Sequence, residues 1–143
     1  MLTRKTKYAL LALSHLAHHK DEGPILIADL AAAENIPKKF LETILLELRK
    51  HGILQSRKGK GGGYLLNRDP KDIPLSDVVR MMDGPFAPVS CVSETAYARC
   101  TDCKDEATCE VRAVMKRVRD SIADIFENTS LADMTRPRAR SRR

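Results

Sequence analysis

The sequence contains no tryptophan, and aromatic residues make up only 4% of it, so aliphatic side chains must build its core. No apolar run approaches the roughly 20 residues that span a bilayer as a helix. The N-terminal stretch starts like a signal peptide, but Lys5, Lys7 and Tyr8 interrupt it and no small-residue cleavage site follows. These absences predict a cytoplasmic protein without a membrane partner.

Cysteine is missing from most of the chain, because all four cysteines lie between Cys91 and Cys109. Structural disulfides are rare in a reducing cytosol, where clustered thiols more often bind metals or react with oxidants. The distribution therefore predicts one metal or redox site, confined to a single segment.

Positive charge is concentrated in two places. The 143 residues carry a net charge of +6, but the excess lies in residues 1–68 and in the arginine-rich stretch 135–143, whereas residues 69–134 are net acidic. A basic part joined to an acidic part predicts a polyanion-binding domain beside a part with a different task.

Apolar residues at helical spacing predict three helices in the first half of the chain, over residues 3–18, 27–34 and 37–51. Two short apolar strands, 53–56 and 63–67, flank the loop RKGKGG, a pattern typical of a β-hairpin. Three helices followed by a basic hairpin are typical of the winged helix-turn-helix. We therefore expect a mainly α fold with a small β-hairpin wing, and residues 1–68 are predicted to form the DNA-binding domain.

The second half of the chain is predicted to hold four segments: a connector with a short helix (69–88), a cysteine sensor loop (89–109), a dimerisation helix (107–128) and a basic disordered tail (129–143). The cysteine segment is too polar to be expected in the core. The tail is rich in arginine and poor in apolar residues, which is the composition of a disordered chain.

The long C-terminal helix carries a heptad repeat of apolar residues, spaced 4, 3, 4, 3: Val111, Met115, Val118, Ile122 and Ile125. Two heptads are too few for a free coiled coil, but they suit docking on a partner helix. The pattern predicts a dimerisation helix, and the alternative is that these side chains pack on the chain's own core.

The third helix presents polar side chains to solvent near its start. Lys38, Lys39 and Glu42 lie away from its apolar side, where they can reach base edges or phosphates in a major groove. The alternative for all three is an ordinary solvated helix surface. Lys5 of the first helix is a further basic candidate for DNA contact.

The predicted hairpin has a basic tip formed by Arg57, Lys58 and Lys60 among four glycines. Glycine lets a backbone approach a phosphate or enter the minor groove, and the basic side chains gain from counterion release. A solvated loop is the alternative, but the loop lacks the Gly-Lys-Ser/Thr ending of a nucleotide-binding P-loop. Its position after a helix-turn-helix favours a DNA-binding wing.

The cysteine spacing suits a metal more than a structural bridge. Cys100 and Cys103 are two residues apart, Cys109 adds a third thiolate, and Cys91 completes the set. A structural zinc site usually has two C-x2-C pairs and here there is one. Iron–sulfur clusters also take four thiolates, or three with another ligand. A thiol–disulfide redox switch is the third alternative.

Several stretches of the chain resemble one protein family. They are TKYALLALSHLA, IPKKFLETILLELRKHGIL, SRKGKGGGYLLNRDPKDIPLSDVVRMMDG and the cysteine segment that follows. Together they resemble the IscR/NsrR-type regulators, the Rrf-two family, over about residues 2–126. The resemblance implies a homodimeric bacterial winged-helix transcription factor whose long C-terminal helix crosses to the other subunit. The residues that it implies in reading DNA are Lys38, Lys39, Phe40, Glu42 and Lys58.

The same resemblance implies a cofactor, because many members hold a 2Fe–2S or 4Fe–4S cluster through three cysteines of this segment. Cys91, Cys103 and Cys109 match that pattern best, and Cys91, Cys100 and Cys109 remain an alternative set. Some members use a histidine three residues after the last cysteine, and Arg112 stands there in this chain.

Other members of the family take a ligand from the first helix of the partner subunit. The matching positions here hold Lys7 and Leu11, which are unsuitable ligands. Cys100 is then the economical fourth ligand.

The sequence as a whole predicts a DNA-binding repressor, not an enzyme, whose binding to a double-stranded operator is controlled by an iron–sulfur cluster. A sample prepared in air can lack that cluster. The C-x2-C pair does not follow a strand and no general base accompanies it, which argues against a thiol oxidoreductase. The alternatives are a regulator with a zinc or thiol–disulfide switch, and a winged-helix module that binds protein instead of DNA.

Overall fold

The computed structural model describes residues 2–137. Its main elements, in chain order, are α1 (Arg4–His18), α2 (Ile27–Glu34), α3 (Lys38–Lys50), β1 (Leu54–Arg57), β2 (Gly63–Leu66), α4 (Leu75–Asp83), α5 (Glu110–Glu127) and α6 (Leu131–Thr135). The two strands pair antiparallel, with Leu54 opposite Leu66. The prediction of a mainly helical fold with a hairpin wing is confirmed.

Local capping fixes the helix ends. Thr3 caps α1 by accepting a hydrogen bond from the Thr6 amide, and Asn35 ends α2 in the left-handed conformation with φ 54°. Two predicted starts are corrected. Pro37 is the cap of α3 and not its first helical residue, and Cys109 is the cap of α5, which therefore begins at Glu110 and not at Ala107.

The core of the DNA-binding half is aliphatic, as the low aromatic content predicts. The fully buried leucines and isoleucines of the first three helices are Leu13, Leu30, Leu41, Ile44, Leu45 and Leu48. Burying such side chains contributes about 1.5–3 kcal/mol each, so this cluster stabilises the arrangement of α1, α2 and α3.

A pair of hydrogen bonds joins α4 to the start of α1. The Asp83 carboxylate accepts from the Thr3 amide at 3.1 Å and from the Thr3 hydroxyl at 2.6 Å. Burial pushes the pKa of Asp83 upward, but the hydrogen bonds from Thr3 and Thr6 outweigh it and hold that pKa below its usual value. The DNA-binding half is thus tied to the helix that leads into the cysteine segment.

The predicted disordered tail is wrong for residues 129–137. Ser130 and Asp133 form a capping box at the start of α6, and Leu131 is completely buried. Backbone hydrogen bonds of 2.9 and 2.8 Å, from Leu75 to Thr129 and from Leu131 to Ile73, fix the segment beside α4. Residues 138–143 lie outside the described part.

No helix within residues 2–137 is both long enough and apolar enough to cross a membrane.

Candidate DNA-binding surface and cysteine site

The N-terminal end of α3 projects from the helix-turn-helix. Lys38, Lys39 and Glu42 are exposed, while Leu41 and Leu45 on the opposite side are completely buried. The buried side fixes the rotation of α3, so the three polar side chains point away from the core. This is the orientation that a recognition helix needs in a major groove.

Phe40 and Lys5 are held inside the domain. The Phe40 ring is half-buried and meets the Tyr8 ring edge-on, with centroids 5.5 Å apart. The Lys5 ammonium forms an ion pair with Glu47 of α3 at 2.7 Å. Both residues join α1 to α3, so the structure gives them a positioning role, and their predicted contact with DNA stays a prediction.

The hairpin is anchored beside its loop and exposed at its tip. Arg57, Lys58 and Lys60 are exposed at the tip. Next to the loop, at the second residue of β2, Tyr64 exchanges two backbone hydrogen bonds of 2.9 Å with Ile25, which form an isolated antiparallel bridge. This attachment gives the basic tip a defined position relative to α3.

Gly63 is required by the close approach of the backbone at Ile25. Its φ is 145°, and a Cβ built there would lie 2.3 Å from the Ile25 carbonyl oxygen. No side chain larger than hydrogen fits without moving one of the two backbones. The first residue of the second predicted strand therefore sets the wing's attachment.

The cysteine segment begins inside the protein and then emerges. Cys91 and Val92 are buried, which corrects the expectation that the whole segment lies outside the core. The Arg119 guanidinium of α5 donates to the Val92 carbonyl at 2.6 Å. The segment is thereby fixed to α5 at its start.

Two of the four thiols are near each other. The Ala98 amide donates to the Ser90 carbonyl at 3.2 Å and closes the chain between these residues, and the Cys91 thiol is near enough to Cys100 to affect its pKa. Partial desolvation, the negative charge of Cys91 and a hydrogen bond with its thiol raise the pKa of the otherwise exposed Cys100, with smaller effects of Asp102 and Cys103. Cys100 thus faces another candidate ligand.

The other two thiols are half-buried. Cys109 caps α5, where its sulfur accepts a hydrogen bond from the Arg112 amide at 3.3 Å, and Cys103 lies in a turn closed by its amide and the Cys100 carbonyl at 3.2 Å. Within residues 2–137, no three His, Cys, Asp or Glu side chains converge as a ready metal site. The structure therefore places Cys100 near Cys91 but does not gather the full predicted set.

Arg112 is the residue at the position where the family resemblance expects a histidine. Its Nε atom is buried and has no hydrogen-bond partner in the described part of the chain. Sequence reasoning missed this buried donor, and the only signal for it was the spacing of three residues from Cys109.

Helix α5 divides the predicted heptad seam between two faces. Ile122 lines a small cavity with Phe86 and Phe126, whose rings are 5.3 Å apart. The outward face carries four apolar residues, exposed by 63%, 50%, 37% and 62%: Val111, Val114, Val118 and Ile125. Val114 is missing from the predicted seam, and Met115 is half-buried like Ile122. Packing on the chain's own core thus applies to Ile122, while dimerisation through the exposed face stays a prediction.

A three-helix unit with an exposed start of α3 and a basic hairpin defines a winged helix-turn-helix DNA-binding protein. The family model described as "Iron-dependent Transcriptional regulator", Rrf2, matches residues 2–137. The chain belongs to the Rrf2 family of transcriptional regulators, which confirms the predicted resemblance. Its relatives are regulators, so the prediction that it is not an enzyme is also confirmed.

Individual relatives match over nearly the whole chain. An rrf2-like HTH-type transcriptional regulator of Rhodobacter capsulatus is 44% identical, over 94% of this chain and 91% of the relative. The structure of CymR, the global cysteine regulator of Bacillus subtilis, is 27% identical with a TM-score of 0.78 and covers 94% and 95% of the two chains. The structure of IscR from T. potens is 28% identical with a TM-score of 0.73, over 94% and 85% of the two chains.

Proposed function

We propose that this chain is a homodimeric, cytoplasmic repressor that binds operator DNA and is controlled by an iron–sulfur cluster held in its cysteine segment. The observation that carries the proposal is the position of that segment. Cys91 lies near Cys100, and Val92, which follows Cys91 in the chain, is hydrogen-bonded to Arg119 of α5. A change in the cysteine segment therefore acts directly on the helix with the exposed apolar face.

The chemistry of the donor set supports a cluster. Cys91, Cys103 and Cys109 would hold it, with Cys100 as the fourth ligand because its thiol already faces that of Cys91. When bound, the cluster supplies an iron centre that responds to iron supply, nitric oxide or oxidants.

The route from cluster to DNA runs through packed helices. Arg119 joins the cysteine segment to α5, α5 packs on α4, and Asp83 of α4 holds Thr3 at the start of α1. Lys5 of α1 is in turn paired with Glu47 of α3. We propose that ordering the cysteine segment shifts the two recognition helices of a dimer, whose spacing must match half-sites about one helical turn apart.

The second candidate is a thiol–disulfide switch, favoured by the contact between Cys91 and Cys100. An oxidant such as hydrogen peroxide would take two electrons from the two thiols, form one disulfide and leave as water. This candidate predicts colourless protein whose DNA affinity changes on oxidation and recovers with a dithiol reductant.

The deciding experiment is anaerobic reconstitution with iron and sulfide, followed by metal analysis, absorption spectroscopy and DNA-binding measurements. We expect thiolate-to-iron charge-transfer absorption in the native chain and its loss in Cys103→Ser. The reconstituted and cluster-free native proteins should differ in affinity for an operator selected from random duplexes, while the two preparations of Cys103→Ser should bind alike. A colourless native protein with one zinc per chain would overturn the cluster.

The variant Cys100→Ser tests whether Cys100 is a ligand of the cluster. If Cys100 is the fourth ligand, its loss destabilises the cluster toward chelators and alters the absorption spectrum, but leaves DNA binding by the cluster-free protein unchanged. An unchanged spectrum and chelator resistance would make Cys100 a bystander.

A salt titration tests the DNA-binding surface. Replacing Lys58 and Lys60 together by glutamine removes two charges from the exposed wing tip, and each phosphate that is no longer neutralised reduces the slope of log affinity against log salt by about 0.9. We expect the slope on a mixed-sequence duplex to become shallower by about 1–2. Lys71→Gln, which removes an exposed charge from the connector, is the matched control and should leave the slope unchanged. Equal slopes for wing variant and control would exclude the wing from DNA contact.

A further inference from the structure

The outward side of α3 extends beyond the residues that the sequence predicted to meet DNA. Successive side chains of a helix are about 100° apart, so the side opposite the buried face of α3 is a single line of exposed residues: Lys39, Thr43, Leu46 and Lys50. Of these four, only Lys39 was predicted to contact DNA. The other three share its orientation.

The middle of this line is apolar. Leu46 is 38% exposed, and within residues 2–137 it belongs neither to the buried core cluster nor to the half-buried residues packed against that cluster. The Thr43 hydroxyl donates to the Lys39 carbonyl at 3.5 Å, so its proton is used within the helix. Thr43 therefore offers a ligand its methyl group, next to the Leu46 side chain one turn further along.

Positive charge surrounds the apolar middle. Lys39 lies one turn before Thr43, Lys50 lies one turn after Leu46, and the basic tip of the wing is exposed in the same domain. This arrangement is complementary to duplex DNA, whose phosphates form the edges of the major groove and whose bases form its floor. A leucine between lysines thus suits a groove floor that offers an apolar group.

Thymine supplies such a group, because its C5-methyl projects into the major groove. The rise of α3 from Lys39 to Leu46 is about 10 Å, which is within the groove's width of about 12 Å. We propose that Leu46, with the Thr43 methyl beside it, contacts the C5-methyl of a thymine and makes α3 specific for a T·A pair at that position of the operator. This inference rests on the proposed binding of operator DNA and does not depend on the cluster.

The test compares thymine with deoxyuridine, which forms the same base pair but lacks the C5-methyl group. An operator is selected from random duplexes with the full chain, and each of its thymines is then replaced in turn by deoxyuridine. At one salt concentration, we expect one replacement to weaken binding by the native chain about three- to fivefold, the effect of removing one methyl group from an apolar contact.

Three variants of exposed leucines locate the contact. Leu46→Ala should bind the thymine and deoxyuridine duplexes with affinities that differ by less than about twofold, because the partner of the methyl group is gone. Leu46→Met keeps an apolar side chain of similar volume and should retain the preference for thymine. Leu26→Ala is the matched control, since Leu26 is 54% exposed in the same domain but lies outside α3, and it should also retain the preference.

Each outcome decides the role of Leu46, provided that circular dichroism shows the native fold in every variant. If the native chain binds all deoxyuridine operators as tightly as the thymine operator, the inference is overturned and the proposed function stands. A preference for thymine that persists in Leu46→Ala places the methyl contact on another residue, and the role of Leu46 is then wrong. If the preference persists there but is lost in Thr43→Ser, that residue is Thr43. A native chain that selects no sequence overturns the proposed function, and this inference with it.

Discussion

Replacing Val118 with aspartate is expected to convert the protein from a dimer to a monomer and to weaken operator binding by about 10²–10⁴-fold. Val118 is the central member of the outward apolar face of α5, between Val111 and Val114 on one side and Ile125 on the other. Exposed apolar residues at this spacing form a continuous stripe along the helix, which is characteristic of an interface.

The size of the effect has two sources. A carboxylate in the middle of an apolar interface must lose its hydration without a partner, which costs several kcal/mol. The monomer then has one recognition helix instead of two, so the second half-site no longer adds to affinity. Sedimentation velocity measures the first consequence and operator titration the second.

Ala113→Asp is the matched control, since it adds the same charge to an exposed position of the same helix outside the apolar stripe. We expect it to remain dimeric. A Val118→Asp protein that stays dimeric at micromolar concentration would show that this face of α5 is not the interface, and the proposed homodimer would need another surface.

The sequence predicted those parts of the fold that local chemistry determines. Thr3 and Asn35 mark helix ends through their own capping and backbone preferences, and the glycine-rich basic loop marks the wing. The position of α6 was missed because it depends on distant partners. Only the folded chain shows that Leu131 fits beside Ile73 and against α1.

The faces of α5 could not be assigned from spacing alone. Valine and isoleucine occur on adjacent sides of α5. The apolar residues therefore fit two patterns, one that includes Met115 and Ile122 and one that includes Val114. Tertiary contacts decide which side of α5 faces the rest of the chain, because Arg119 binds the Val92 carbonyl and Phe126 packs against Phe86.

The cysteine site was predictable in composition but not in arrangement. Spacing indicated a chelating segment, but the proximity of Cys100 to Cys91 and the backbone hydrogen bond that closes the chain between Ser90 and Ala98 are seen only in the folded chain. The buried Nε of Arg112 likewise depends on how the loop folds against α5.

Gly63→Ala is expected to lower the free energy of unfolding by about 3–5 kcal/mol and to weaken DNA binding through displacement of the wing. The new Cβ would lie 2.3 Å from the Ile25 carbonyl oxygen, and φ 145° is unfavourable for alanine. To remove this overlap, the backbone at residue 63 must move away from the backbone at Ile25, which breaks both hydrogen bonds between Ile25 and Tyr64. Those bonds attach β2 to Ile25 at the end of the hairpin next to its loop.

Gly61→Ala separates this close approach from ordinary backbone strain. Gly61 also has a positive φ, of 77°, but a Cβ there would have no atom within 4 Å, so only the left-handed conformation is penalised, by about 1–2 kcal/mol. Urea unfolding of the native chain and the two variants measures the difference. We expect Gly63→Ala to be less stable than Gly61→Ala by about 2 kcal/mol or more, since each broken hydrogen bond removes about 1 kcal/mol. Equal stability of the two variants would mean that the wing separates from Ile25 without loss of stability. The attachment to Ile25 would then not fix the position of the wing for DNA binding.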